Sequence, residues 1–287
     1  MKQSIRFTKM HGLGNCYIYL DLFRDAIDNI DFSHLAQQVA DPYTGIGSDG
    51  LILITPSDRA DLMMRMFNKD GSEGKNCGNG LRCVAKYAYE NRLVREARFS
   101  IETLGGTFWA EVHSKNGHVD LVTIDMGIPK LSRGDVPMTG RSEETAINEN
   151  VHLIDGEWRV TALSIGNPQA IFFVDAIEAA PLDTIGPLLA DGHPLFPDGV
   201  NVGFVQVIGS NALTYRVWER GSGPTRACGT GATAAVVAAV LNHYSKQNEE
   251  VTVHLPGGDL NIKWDEASGH VFKTGPAETI CDGVLYY

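Results

Sequence analysis

The sequence predicts an α+β chain of two similar domains, and three observations carry that expectation. Its 287 residues exceed the usual size of a single domain. Most of it reads as short alternating strands rich in Val, Ile, Phe and Trp, with helices the exception. Features of the first half also return, in order, about 150 residues later, the scale of a duplicated domain rather than a solenoid repeat.

Taken along the chain, Gly14-Asn15 before a strand at Tyr17 to Leu20 answers Gly166-Asn167 before a strand at Ile171 to Val174. Ser33 to Ala40 answers Asp183 to Ala190, and Phe67 to Glu73 answers Trp218 to Gly223. Further strands are expected at Leu62 to Phe67, Phe99 to Thr103, Leu213 to Trp218 and Val251 to Leu255, where apolar residues alternate or cluster. Two Ala-, Leu- and Val-rich helices are expected at Gly78 to Asn91 and Gly229 to His243, each directly after a cysteine. Cys77-Gly78-Asn79-Gly80 answers Cys228-Gly229-Thr230-Gly231, and Leu104-Gly105-Gly106 answers Pro256-Gly257-Gly258. One such match would be chance, but an ordered series at one offset reads as gene duplication and predicts a pseudo-twofold axis.

Composition excludes several classes. Hydrophobic residues at 43% and charged residues at 21% suit a folded globular chain. A formal net charge of −11, without a basic run, opposes binding to nucleic acid or anionic lipid. The longest apolar stretch, Ala232 to Leu241, is too short to span a bilayer, and MKQSIRFTKMHG lacks the apolar core of a signal peptide, so no membrane role and a cytoplasmic location are expected. Five cysteines without C-x-x-C spacing argue against a disulfide framework or zinc ribbon. No P-loop, dinucleotide fingerprint or H-E-x-x-H spacing is present, and Asn68 to Glu73 has the wrong spacing for a calcium loop and reads as a tight turn.

Cys77 and Cys228 carry the chemistry. A cysteine before a helix lies beside unpaired N–H groups and the positive dipole end, which stabilise a thiolate and lower its pKa. The glycines at 78, 80, 229 and 231 let a carboxylate approach each helix start. If the pseudo-twofold axis runs through a cleft, two sulfurs reach one carbon from opposite sides, as inversion of a stereocentre requires. An isolated cysteine is more often a buried apolar residue, which remains the reading for Cys16, Cys83 and Cys281, none of which has a duplicated partner.

The run from Asn68 through Cys77-Gly-Asn-Gly-Leu-Arg82 resembles the signature of the diaminopimelate epimerases. The likeness continues through Met10 to Asn15, Gly45 to Gly50, Gly166 to Pro168, Asn201, Trp218 to Gly221, Ala227 to Ala232 and Leu255 to Gly258, nearly the whole chain. It implies interconversion of L,L-2,6-diaminoheptanedioate and its meso isomer, toward lysine and cell-wall precursors, without pyridoxal phosphate or metal. It also implies two pseudo-symmetric barrel-like domains, mainly antiparallel strands around a central helix. The final strand returns to the first, giving divisions at 1–124 with 276–287 and at 125–275. Homodimers are common in the family. Residue by residue, Cys77 and Cys228 match the acid-base pair, with Cys77 the base toward the L,L isomer. Asn15, Asn68, Asn167, Asn201, Glu219 and Arg220 match positions that recognise amino and carboxylate groups, chiefly at the unreactive centre. Gly78-Asn79 and Gly229-Thr230 match the helix starts that hold the reacting carboxylate.

Four positions depart from the common pattern: Cys16 replaces Asp, Gln169 replaces His, Pro224 replaces Glu, and Gly50 stands where some members carry Gln. The alternatives are a proline or hydroxyproline racemase of the same fold, a phenazine-biosynthesis relative without thiol chemistry, and a thiol redox protein. Trp218-Glu-Arg-Gly221, the paired cysteines and the missing C-x-x-C argue against them in turn.

Overall fold

The computed structural model describes residues 4–24, 30–154 and 156–286. They fall into two compact units. Unit 1 runs to Ile124 and resumes at Thr274, and unit 2 runs from Asp125 to Lys273. The return thus begins at Thr274, where the sequence-based division places it at residue 276.

Unit 1 opens with β1 (Ser4–Gly12) and β2 (Asn15–Asp21), an antiparallel hairpin turning through Leu13 and Gly14. Helix α1 (Phe32–Ala40), capped by the Asp31 carboxylate on the His34 N–H, crosses to β3 (Gly50–Thr55), which lies parallel to β2. β4 (Leu62–Asn68) runs antiparallel to β3 and turns into the short β5 (Glu73–Gly74). Helix α2 (Gly78–Glu90) then crosses to β6 (Arg98–Thr103), parallel to β4, and β7 (Gly106–Lys115) and β8 (His118–Asp125) complete an antiparallel meander.

Unit 2 repeats this order. β9 (Ala146–Leu153), β10 (Gly156–Ser164) and β11 (Pro168–Phe173) are antiparallel, and α3 (Leu182–Ala190) leads to β12 (Asn201–Gly209), parallel to β11. β13 (Ala212–Glu219) is antiparallel to β12 and pairs with β14 (Gly223–Thr225). Helix α4 (Gly229–Leu241) then leads to β15 (Glu250–Leu255), parallel to β13, and on to β16 (Gly258–Trp264). β17 (Val271–Gly275) spans the junction, and β18 (Glu278–Tyr286) adds to β1 as β9 adds to β10. Parallel and antiparallel pairings therefore recur in one sequence, the topological form of the duplication.

The strand patterns say where the helices pack. β2, β3, β11 and β12 are nearly continuous apolar runs, because both faces of the sheet are covered. Ile18, Leu20, Leu51 and Leu53 pack with Leu35, Ala36 and Val39 of α1. Phe172, Val202 and Phe204 pack with Ile185 and Leu189 of α3. The opposite face takes the second helix of each unit. α4 is apolar all round, with every residue from Gly231 to Ala239 buried, and it contacts strands β10, β11, β12, β13, β15 and β16. A helix of that kind must be surrounded, and its Gly and Ala residues let the curled sheet close in. α2 takes the same place in unit 1 but carries two buried cations. Lys86 donates to the Val119 carbonyl at 2.6 Å and reaches Glu90 at 3.1 Å, and Arg82 donates to the Pro276 carbonyl at 3.0 Å. The expected Asn68 to Glu73 turn is present, closed by Asn68 N–H to the Ser72 carbonyl at 2.8 Å with Gly71 at φ 86°.

Candidate active site

Both helices start in the same way. The Cys77 sulfur accepts the Gly80 N–H at 3.3 Å, and the Cys228 sulfur accepts the Gly231 N–H at 3.3 Å. Each cysteine has extended backbone and so stands as the cap residue of its helix, taking the place a serine or aspartate usually fills. The third helical residue is glycine in both. A Cβ on Gly80 would lie 2.7 Å from Ile52 Cδ1, and one on Gly231 would lie 2.1 Å from the Tyr215 hydroxyl.

In unit 1 the hairpin brings Asn15 to the helix start. Gly14 takes φ 84° there, and Gly166 repeats that value before Asn167. The Asn15 amide donates to Asp49 at 2.9 Å, which turns its oxygen toward the Cys77 thiol at 3.4 Å and the Asn79 amide at 3.5 Å. Asp49 also accepts the Cys16 N–H at 2.8 Å, so one carboxylate braces the whole strand start. Asn68 closes β4 and engages the Ser72 hydroxyl at 3.0 Å on the turn leading to Cys77. Sequence reading missed Asp49 as a participant, although it lies in a segment singled out for resemblance. Spacing alone does not show which side chain folds back onto Asn15.

Unit 2 gathers the other predicted residues. Gln169, fully buried, donates to Asn167 at 2.9 Å and to Thr230 at 3.4 Å, and the Thr230 hydroxyl lies 3.4 Å from the Cys228 sulfur. Asn201 is buried and accepts the Arg220 N–H at 2.8 Å, while the exposed Arg220 side chain donates to the Asp198 carbonyl at 2.7 Å. Glu219 accepts from Thr225 at 2.5 Å. Gly78 and Gly229 are the first residues of their helices.

One expectation is corrected. The helix start was to lower both thiols, yet Cys228 stands far above its ordinary value. Burial is the main cause and the Glu219 carboxylate adds to it, outweighing the Thr230 hydroxyl and Gly231 N–H. The dipole effect is modest and local, whereas removing a thiolate from water is costly. Tyr215 faces the same sulfur from β13, its hydroxyl buried with no hydrogen-bond partner among the described residues. Apolar strand patterning gives no sign of that placement.

Comparison with known proteins agrees with this arrangement. The family model described as diaminopimelate epimerase matches residues 7–132 and 161–280, which include both helix starts. The chain belongs to the diaminopimelate epimerase family. A curated diaminopimelate epimerase of Bacillus subtilis is 56% identical over 283 residues, covering 99% of each chain. One from Geobacillus thermodenitrificans is 58% identical over 284 residues, covering 99% of this chain and 97% of the relative. Among solved structures, a hydroxyproline epimerase from Agrobacterium vitis superposes with a TM-score of 0.71 at 16% identity, over 100% of this chain and 94% of that one, a likeness of fold. The two-unit α+β architecture expected from the sequence is the one observed.

Each departure from the family pattern has a definite setting. Gly50 takes φ 149°, and a Cβ there would lie 2.0 Å from the Phe67 carbonyl oxygen, so the approach of β4 demands glycine. Cys16 is half-buried in β2, and burial pushes its thiol up. Pro224 sits opposite Trp218 in the short β14. The Gln169 carbonyl oxygen is buried without a hydrogen-bond partner among the described residues, close to Asn167 and Thr230.

Proposed function

We propose that this chain interconverts L,L-2,6-diaminoheptanedioate and its meso isomer without a cofactor, with Cys77 and Cys228 as the acid-base pair acting on one substrate carbon. The observation that carries the reading is the duplicated cap, a thiol at 3.3 Å from the third helical N–H at each of two helix starts. The substrate class rests on the relatives named diaminopimelate epimerase. The proposal assigns the reacting carboxylate to the N–H groups around Gly78-Asn79 and Gly229-Thr230, where helix starts favour anions. Asn15, Asn68, Asn167, Asn201, Glu219 and Arg220 bind the amino and carboxylate groups, chiefly those of the distal centre. Those polar groups leave a shorter amino acid poorly matched, because buried polar groups without partners are costly.

The deciding experiment is NMR of the purified protein in D2O with L,L-diaminopimelate and, separately, L-proline. Deuterium should enter one α-position of diaminopimelate as the meso isomer appears, and proline should stay inert. Cys77→Ala and Cys228→Ala should each lower epimerisation about a hundred- to ten-thousand-fold in both directions. Turnover of proline alone would move the chain to the hydroxyproline-epimerase reading, and a folded alanine variant with near-normal inversion would overturn the two-thiol chemistry. No helix among the described residues is long and apolar enough to cross a membrane. The reading extends to a cytoplasmic location, measured by cell fractionation, and to a homodimer, measured by sedimentation.

A further inference from the structure

Glu219 closes β13, and the short strand that follows holds its side chain. In that ladder Glu219 stands opposite Gly223 and Val217 opposite Thr225, so Glu219 and Thr225 share one face of the hairpin as diagonal neighbours. Gly223 offers no side chain across from the carboxylate, and its φ of 74° is one that glycine adopts without strain. The Thr225 hydroxyl donates to Glu219 Oε1 at 2.5 Å, the length of a hydrogen bond to an ionised acceptor. Pro224 lies between Gly223 and Thr225 and locks one backbone angle of the same arm.

That carboxylate has a holder but no counter-charge. No Lys, Arg or His pairs with it among the described residues, and the adjacent Arg220 turns its guanidinium to the Asp198 and Gly199 carbonyls at 2.7 and 3.5 Å. Glu219 is half-buried, where an unpaired charge costs more than it does in open water. An ammonium group, which brings only N–H donors and a positive charge, matches what its second oxygen lacks.

Unit 1 holds the answering residue in a related way. Asn68 stands as far before Cys77 as Glu219 does before Cys228, and it closes β4 as Glu219 closes β13. Its amide donates to the Ser72 hydroxyl at 3.0 Å, and that hydroxyl gives its own proton to Asp70 at 2.6 Å. The polarity is reversed because the Asp70 carboxyl, held below its usual range by the Ser72 hydroxyl and N–H, takes the proton. Each arm thus spends one polar atom of the strand-closing side chain on a hydroxyl and leaves an oxygen acceptor. Only the acceptor of unit 2 belongs to a carboxylate.

We propose that Thr225 is a positioning residue, whose hydroxyl fixes one oxygen of the Glu219 carboxylate so that the other receives an ammonium group of the substrate. The inference rests on the epimerase reading for the identity of that ligand. Holding the carboxylate before the substrate arrives removes part of the ordering cost of binding. The gain is shared by ground state and transition state, so it is felt in KM rather than in kcat.

The test is initial-rate epimerisation of L,L-diaminopimelate by the full chain, with KM and kcat read separately. Thr225→Val keeps the branched shape that suits a strand and removes the donor. It should raise KM about tenfold or more while kcat stays within about threefold of the parent, and Thr225→Ser should return KM most of the way. Circular dichroism checks the fold of each variant, and Thr225→Ala, which also lacks the donor, takes the place of a Thr225→Val protein that does not fold. An unmoved KM overturns the proposal. So does a raised KM that serine leaves uncorrected, or a fall in kcat as large as the rise in KM, since packing and not the hydroxyl would then be at issue. A parent chain that exchanges no deuterium into diaminopimelate rejects the epimerase reading and this inference with it. An active parent with an indifferent Thr225→Val rejects the role of Thr225 alone.

Discussion

At the scale of single residues, the two duplicated thiols differ more in surroundings than in local sequence. Cys77 is half-buried beside Asn15, while Cys228 is 4% exposed and faces Glu219. Burial raises the Cys228 thiol from an ordinary 9.0, so the folded state keeps its proton at pH values where the unfolded chain has lost it. The folded state then binds more protons than the unfolded one, and stability falls as pH rises above about 9. Below that pH the contribution is fully present. The expected slope is about 1.4 kcal/mol per pH unit for this one group. Denaturant titrations at several pH values between about 8 and 10 should therefore show a shallower alkaline loss in Cys228→Ala than in the parent protein. Equal slopes would mean that Cys228 is not held protonated by its burial. The buried tyrosines contribute to both proteins alike and cancel in the comparison.

At the scale of elements, the helix start and the strand beneath it were shaped together. Tyr215 of β13 lies between Gly203 of β12 and Gly231 of α4, and a Cβ on either glycine would run into its ring or hydroxyl at 2.5 or 2.1 Å. Gly231→Ala gains helix propensity of about 1 kcal/mol but drives its methyl group into a hydroxyl that cannot retreat. The net effect expected is a loss of about 1–3 kcal/mol in unit 2, with the Cys228 cap displaced. Gly80→Ala, which meets the tip of Ile52 at 2.7 Å, should cost less because an aliphatic side-chain end can rotate away. Melting of the two variants side by side checks this, and a neutral or stabilised Gly231→Ala protein would contradict the packing argument.

For the whole molecule, the strands of each unit enclose that unit's own central helix, and the last strand of unit 1 is supplied from the far end of the sequence. β18 pairs with β1 from Ser4 to His11, Thr8 donates to Asp282 at 2.6 Å, and Arg82 holds the Pro276 carbonyl. Removing residues 276–287 deletes all three ties from unit 1 and none from β10 to β13. Hydrogen exchange should then show lost protection across residues 4–12 while residues 201–209 keep theirs. Unchanged protection of β1 would show that the ladder to β18 contributes little to holding it.

The sequence by itself determined the duplication, which shows as an ordered repeat along the chain, and the two helices after Cys77 and Cys228 with the turn glycines, which depend on neighbours a few residues away. Tertiary structure decided what those residues meet. Asp49 turns Asn15 toward Cys77 across 62 residues of sequence, and Gln169 reaches Thr230 across 61. The sign of the Cys228 shift was not legible either: the local helix start predicts a lowered pKa, while burial among distant strands, with Glu219 nearby, raises it. Capping and backbone conformation act through adjacent atoms and can be read from order along the chain. Desolvation and charge act through space, and they take their values only once the sheet has closed around the helix.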